Sequence, residues 1–206
     1  MSHEFLIACQ YGDINRAKLL LQNKPEIDIS IYSDYPFRVA CENGHLHVAK
    51  WLLQIKPTIN ISAGYDYAFK IACQYGHLHV AKWLLQIKPT INISRDDEYA
   101  FRMACVEGNL HVAQWLLKIK PNINISVENE EAFNYSCISK HLPVAKWLQS
   151  LLPFKYVIQF NNKPKITPII RSNTEANTLA LITLFEKTGY IQFINADLIC
   201  NFTKQN

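Results

Sequence analysis

The sequence contains no run of 18 apolar residues, no Cys-x-x-Cys pair and no glycine-rich phosphate loop, and each absence removes a class of function. Without the apolar run, no membrane-spanning helix is expected. The opening "MSHEFLIACQYGDINRAKLLLQ" lacks a basic segment followed by an apolar one, so no secretory signal is expected either. Six cysteines in such a chain are then expected as reduced thiols of an intracellular compartment, cytoplasm or nucleus. The Asn-x-Ser/Thr triplets at Asn60, Asn92, Asn124 and Asn201 should stay bare there. Charge is also scarce. Charged residues make up 18% and the net charge is +4, too mild for a nucleic-acid binder with its Lys and Arg gathered in a stripe. No nucleophile–base pair or two-carboxylate site occurs, so neither catalysis nor a cofactor is expected.

What the chain does have is repetition. "GHLHVAKWLLQIKPTINIS" fills 44–62 and, letter for letter, 76–94; an edited copy, "GNLHVAQWLLKIKPNINIS", fills 108–126. Columns of identical residues run at a spacing of 32: Phe5, Phe37, Phe69, Phe101 and Phe133; Cys9, Cys41, Cys73, Cys105 and Cys137; Ala17, Ala49, Ala81, Ala113 and Ala145. Leu20 to Leu148 and Pro25 to Pro153 keep the same register. A fixed period of this length is the signature of stacked supersecondary units.

Within one unit the pattern gives two short helices. Asp66 is placed as an N-cap, with Phe69, Ala72 and Cys73 at i, i+3 and i+4 on one face. Gly76 supplies the left-handed residue that ends this helix. A second helix is predicted from about Leu78 to Ile87, apolar on both sides through Val80, Ala81, Trp83, Leu84 and Leu85, as suits a helix between neighbours in a stack. Pro89 stops it, and "Thr90-Ile91-Asn92-Ile93-Ser94" reads as an extended turn into the next unit. With 49% apolar residues there is ample material for a core.

"Ala-Cys-Gln-Tyr-Gly-His-Leu-His-Val-Ala-Lys-Trp-Leu-Leu" at 72–85 resembles the ankyrin repeat pattern A-A-x-x-G-H-x-x-V-V-x-L-L-L, and Ile91-Asn92 occupies its V-N position. The resemblance covers roughly residues 1–152, in units 1–32, 33–64, 65–96, 97–128 and 129–152. It implies an all-α solenoid with short extended hairpin fingers and atypical terminal caps. Departures are "Tyr67-Ala68-Phe69-Lys70" for T-P-L-H and "Lys88-Pro89-Thr90" for G-A-D. The "KPTINIS" wording is similar in style to ankyrin proteins of amoeba-infecting giant DNA viruses. From Phe154 the register is lost; a helical cap or worn sixth repeat, with a helix over about 174–187, is the expectation for 153–206.

Several residues invite chemistry and have a structural reading beside it. The cysteine column cannot form disulfides, because stacked helices lie about 8–10 Å apart and Cα atoms must come within about 7 Å. His45/His47 and His77/His79 are two apart and do not share a helix face, so no metal site is expected. The tryptophans at 51, 83, 115 and 147 are assigned to packing rather than base stacking. Asp34–Arg38, Asp66–Lys70 and Glu98–Arg102 are spaced as i, i+4 helix pairs. Asn60, Asn92 and Asn124 match the position that asparaginyl hydroxylases modify in the ankyrin family, and equally suit turn-holding side chains.

The two identical phrases are preceded by stretches that differ. Between 31–43 and 63–75, eight of thirteen positions change, among them Tyr32/Gly64, Ser33/Tyr65 and Asn43/Tyr75. The varied set is rich in Tyr, a residue favoured in interfaces. By the resemblance, fingers and first helices line a concave binding face, here with Tyr32, Tyr35, Arg38, Tyr65, Tyr67, Lys70, Tyr99 and Arg102, and with Asp96, Asp97 and Glu98 at exposed tips. The expected function is a non-enzymatic, monomeric adaptor for a partner protein. The rival is a ubiquitin-ligase substrate-recruiting subunit, since "Leu152-Pro153-Phe154-Lys155-Tyr156-Val157-Ile158" is similar to an F-box opening and poxvirus ankyrin proteins share that plan.

If each unit touches mainly its neighbours, deleting residues 65–96 should leave a folded, shorter stack, because units 2 and 3 end in the same phrase. Helical circular dichroism per residue should persist with a cooperative urea transition; its loss would contradict the solenoid.

Overall fold

The computed structural model describes residues 3–151, 155–161 and 163–169. Ten helices come first: α1 (His3–Gln10), α2 (Ile14–Asn23), α3 (Ile31–Glu42), α4 (Leu46–Ile55), α5 (Ala63–Gln74), α6 (Leu78–Ile87), α7 (Arg95–Val106), α8 (Leu110–Ile119), α9 (Val127–Ile138) and α10 (Leu142–Leu151). An antiparallel pair follows, β1 (Lys155–Asn161) with β2 (Lys163–Ile169), in register Lys155 to Ile169. The chain divides into compact units Met1–Ala132 and Phe133–Asn206.

The columns of the sequence are the core. Phe5, Phe37, Phe69 and Phe101, with Cys9, Cys41, Cys73 and Cys105 one turn further on, are essentially inaccessible. On the second helices Val48, Ala49 and Leu52 and their repeats at 80, 81 and 84 are fully buried, while the opposite sides carry exposed Lys50 and Lys82. Within Met1–Ala132, the backbones of successive first helices α1, α3, α5 and α7 come within 8 Å along much of their length, whereas successive second helices do not. Side-chain volume accounts for this. Ala40, Cys41, Ala72 and Cys73 let the first helices close up, while each second-helix Trp is a wedge against the unit before it. Trp51 packs on Phe5 at 6.4 Å between ring centroids, Trp83 on Phe37 at 6.2 Å and Trp115 on Phe69 at 6.4 Å. The first-helix side is therefore the inner side of this unit.

The loops between units differ from the expected extended fingers. Among the described residues, no strand occurs between units. The chain makes a turn over 56–62 and then three consecutive left-handed residues open the next helix. Tyr32, Ser33 and Asp34 have φ of 51°, 57° and 61°, and Gly64–Asp66 and Asp96–Glu98 repeat the conformation. The right-handed helix begins only after them, and the Asp66 carboxylate goes to the Asn92 N–H and to Arg95 rather than capping it.

In the C-terminal segment, where a helical cap is the sequence expectation, Lys155–Asn161 and Lys163–Ile169 form the antiparallel pair instead. Pro164 and Pro168 are four apart, so both missing N–H groups fall on one edge of a two-stranded pair, where proline is tolerated. The helix expected over 174–187 lies outside the described residues.

Glycine is required where the first helix turns into the second. Gly44 has φ +77°, and a Cβ there would sit 2.5 Å from Nδ1 of His77 in the next unit. Gly64 also has positive φ, but its nearest neighbour would be Tyr67 Cβ at 3.2 Å. Gly64→Ala should therefore cost about 1–2 kcal/mol from backbone strain alone. Gly44→Ala adds overpacking and should cost about 2–5 kcal/mol in urea unfolding. Equal costs would show that the His77 ring does not seat on Gly44.

Candidate functional site

The exposed ends of the first helices and the left-handed turns before them hold the residues singled out from sequence. Tyr32 and Tyr65 are 67% and 73% exposed, Tyr35 is at 37%, and Tyr67 and Tyr99 are half-buried. These rings are laced with cations of the chain itself. The Arg38 guanidinium lies 5.5 Å from the centroid of Tyr35 and 5.4 Å from that of Tyr67. Lys70 Nζ sits 5.4 Å from the Tyr99 centroid and Arg95 lies 5.5 Å from that of Tyr65. Tyr99 Oη also donates to Gln74 Oε1 at 2.9 Å.

The acid–base pairs spaced at i, i+4 do not form within their helices. Each acid belongs to a left-handed turn, where the i, i+4 rule of the right-handed helix has no force. Asp34, only 7% exposed, instead accepts the backbone N–H of Asn60, in the loop that closes the same unit, at 2.9 Å. Asp66 takes that of Asn92 at 3.4 Å and pairs with Arg95 at 3.2 Å. Glu98, expected at an exposed tip, is 8% exposed and accepts from Ser94 Oγ. The bases have other tasks. Arg38 donates to the Tyr32 and Ser33 carbonyls at 2.7 and 3.1 Å, and Arg102 to those of Asp96 and Asp97 at 3.2 and 2.7 Å. A guanidinium fork thus holds the carbonyls of each all-non-glycine turn. Where Gly64 relieves the turn, the base is Lys70, which pairs with Asp96 of the next unit. Arg102 also pairs with Glu131.

Asn60, Asn92 and Asn124 are exposed, and each Oδ1 accepts an N–H two residues on, from Ser62, Ser94 and Ser126, at 3.1 Å. They hold the turn.

The histidines serve the stack. His45 Nε2 donates to the Gln10 carbonyl at 2.9 Å; His47, His79 and His111 donate to the carbonyls of Gly12, Gly44 and Gly76 at 2.9, 3.0 and 3.1 Å. Asn109 replaces a histidine and donates to Gln74 O at 2.6 Å. Burial, reinforced by His79, holds the His77 imidazole below the usual histidine range. Among the described residues, no group of three or more His, Cys, Asp or Glu side chains could hold a metal ion, and no helix is long and apolar enough to cross a membrane.

Two tyrosines on this face escaped the sequence reading. Tyr11 is 74% exposed and Tyr75 47%, each immediately before the glycine that ends its first helix. The signal was available, since Asn43/Tyr75 is one of the positions at which units 2 and 3 differ. Glu42 and Glu107 lie in the same end-of-helix region. Burial, then Glu42, pushes the Tyr67 phenol up, and burial, then Tyr75, does so for Tyr99.

A family model described as ankyrin repeats (3 copies) matches residues 5–97 and 69–162, more than half of the chain. The chain belongs to the ankyrin-repeat family. No curated protein matches the sequence. Ankyrin repeats are in general protein–protein interaction modules. In this ankyrin protein the cysteines have no chemical opening. Burial pushes Cys9 up to about 12 and Cys137 to about 11, and pushes Cys41, Cys73 and Cys105 up as well. The described thiols are all free and buried.

An unfolded thiol ionises near about 8.5, so above that pH the unfolded chain releases protons that the folded chain retains. The thiol contribution to stability is full below about pH 8.5 and declines as pH rises, by at most about 1.4 kcal/mol per pH unit per thiol. Urea unfolding between pH 8 and 10 should show this slope, and Cys73→Ala should reduce it. In the native protein Cys9, Cys41, Cys73, Cys105 and Cys137 should resist iodoacetamide at pH 8, read peptide by peptide; labelling of these at the rate of a free thiol would contradict the buried column.

Proposed function

We propose that this ankyrin stack is a non-enzymatic adaptor that holds a partner protein on its first-helix face, inside the cell and as a monomer. One observation carries the reading. Units 2 and 3 are identical throughout the phrase whose His45, His47 and Trp51 reach the unit before, and the exposed positions at which they differ, Tyr32/Gly64, Ser33/Tyr65 and Asn43/Tyr75, share one face. The exposed Lys50 and Lys82 on the opposite side have not diverged. Tolerance of drift would have altered both surfaces alike.

The side-chain bonds narrow the surface. Arg38, Lys70, Arg102 and Glu98 are engaged within the chain and act as supports. Tyr32, Tyr35, Tyr65, Asp96 and Asp97 present themselves outward, with Tyr67 and Tyr99 as half-buried backing. The match to ankyrin repeats supports a protein partner over a nucleic acid. Nothing in the described residues favours the ubiquitin-ligase reading; Lys155–Ile158 of the F-box-like segment lie in β1.

The test compares two variants against a partner captured from natural host cells by the full chain. Tyr32→Ala with Tyr65→Ala should leave urea stability within about 1 kcal/mol, the Arg95 stacking on Tyr65 included, yet weaken binding by about 2 kcal/mol or more. Leu84→Ala should destabilise the stack by about 2–5 kcal/mol through its cavity and weaken binding only through unfolding. Unchanged binding by the tyrosine variant, together with loss of binding in Lys50→Ala or Lys82→Ala, would place the partner on the other face.

A further inference from the structure

Charge in units 2 to 4 is sorted by helix. From 46 to 56, 78 to 88 and 110 to 120 the second helices and the residues that end them carry Lys50, Lys56, Lys82, Lys88, Lys118 and Lys120 and no acid. The first helices and their turns hold more acids than bases, and their four bases are all engaged. Arg38 and Arg102 grip turn carbonyls, Lys70 pairs with Asp96, and Arg95 pairs with Asp66. Three carboxylates on this side, Glu42, Asp97 and Glu107, have no basic side chain within ion-pair distance among the described residues. The inner face therefore keeps an unneutralised negative charge beside exposed aromatic rings.

The same face shows what its rings accept. Tyr35, Tyr65, Tyr67 and Tyr99 each hold a guanidinium or ammonium group 5.4–5.5 Å from the ring centroid. Tyr75, 47% exposed, has no such cation among the described residues. It follows the last residue of α5 and shares its 32-residue column with Glu107, which follows α7, while Glu42 ends α3; α3 and α7 both pack against α5. We propose that Tyr75, flanked by Glu42 and Glu107, seats an arginine side chain of an extended basic segment of a partner protein. A ring face and two carboxylates form a site whose affinity comes from a cation. An arginine suits it better than a lysine, because the planar guanidinium both stacks and forks onto a carboxylate.

Spacing sets the segment's form. Packed helices repeat at about 8–10 Å, and three residues of an extended polyproline II chain rise about 9 Å and return to the same face. An extended segment crossing the first helices thus offers one side chain per unit if every third residue is basic. Tyr11, in the same column as Tyr75 and 74% exposed, is a further ring on that path.

This inference rests on the first-helix face being the binding face, and the test separates the two. The probe is a fluorescent twelve-residue peptide, Gly-Ser-Arg repeated four times, titrated into the full chain by anisotropy at low salt, beside a Gly-Ser-Glu control. The arginine peptide should bind, the glutamate peptide should not, and affinity should fall with salt. Tyr75→Ala should weaken binding at least tenfold, as should Glu42→Gln with Glu107→Gln, a pair that removes charge without removing volume. Lys50→Ala with Lys82→Ala should not weaken it. Absence of arginine-peptide binding, or binding indifferent to Tyr75 and the two glutamates, overturns the proposal. If the captured host partner then still depends on Tyr32 and Tyr65, the binding face stands and only its basic preference falls.

Discussion

Units 1 to 3 each leave backbone carbonyls that the next unit satisfies. The carbonyls of Gln10 and Gly12, freed where a first helix ends, take the His45 and His47 ring N–H groups from 35 residues later. The loop that closes a unit depends in turn on that unit's opening turn: the N–H of Asn60 is taken by the buried carboxylate of Asp34 from 26 residues earlier. Buried backbone groups left unpaired would cost about 1–3 kcal/mol each, so a unit without its neighbour is poorly satisfied as well as poorly covered. The glycine at the helix–helix turn is the geometric condition for this arrangement. Its missing Cβ is the space into which the next unit's imidazole, or Asn109, fits.

That condition explains which letters of the repeat were copied unchanged. His45, His47 and Trp51 each meet another unit, Asn60 closes its own, and Val48, Ala49 and Leu52 fill the layer behind them. All seven lie in the phrase shared by units 2 and 3. A change on one side of such a junction must be answered on the other. The stretch before the phrase is constrained differently. Its Phe37, Ala40 and Cys41 are retained, the buried Pro36 and Val39 change only to Ala68 and Ile71, and the exposed Tyr32, Ser33 and Asn43 change in size and chemistry. Variation there is still linked to local strain: the turns built without glycine come with Arg38 and Arg102, whose forks reach two turn carbonyls, whereas the turn containing Gly64 comes with Lys70. The binding face is thus built on a strained but supported backbone.

Much of this was legible because a 32-residue period averages out the noise of any single unit. The helix predicted over Leu78–Ile87 is the helix observed, and the Phe, Cys, Ala and Leu columns are buried as their periodicity requires. What was not legible depended on backbone conformation or on distant pairing. Asp34 and Arg38 are spaced as helix neighbours, but Asp34 is the last of three left-handed residues, and nothing in the letters Tyr-Ser-Asp announces them. The two rings of a His-x-His motif go to separate carbonyls of the preceding unit, a pairing across 35 residues that local spacing does not reveal. The tryptophans are packing residues as assigned, and Trp51, Trp83 and Trp115 pack on the first-helix Phe of the preceding unit. After residue 152 the period that carried the reading is gone, and there the antiparallel pair of Lys155–Asn161 and Lys163–Ile169 stands where a helical cap was expected.

Hydrogen exchange at two loop amides tests the account of residue-specific distant pairing most directly. The amides of Asn60 and Asn92 lie outside any helix, yet each is bonded to the buried carboxylate of a turn 26 residues earlier. In the parent both should be protected. In Asp34→Ala the Asn60 amide should exchange near the rate of an open loop, while Asn92, held by Asp66, keeps its protection. Equal acceleration of both amides, or no change at Asn60, would contradict it.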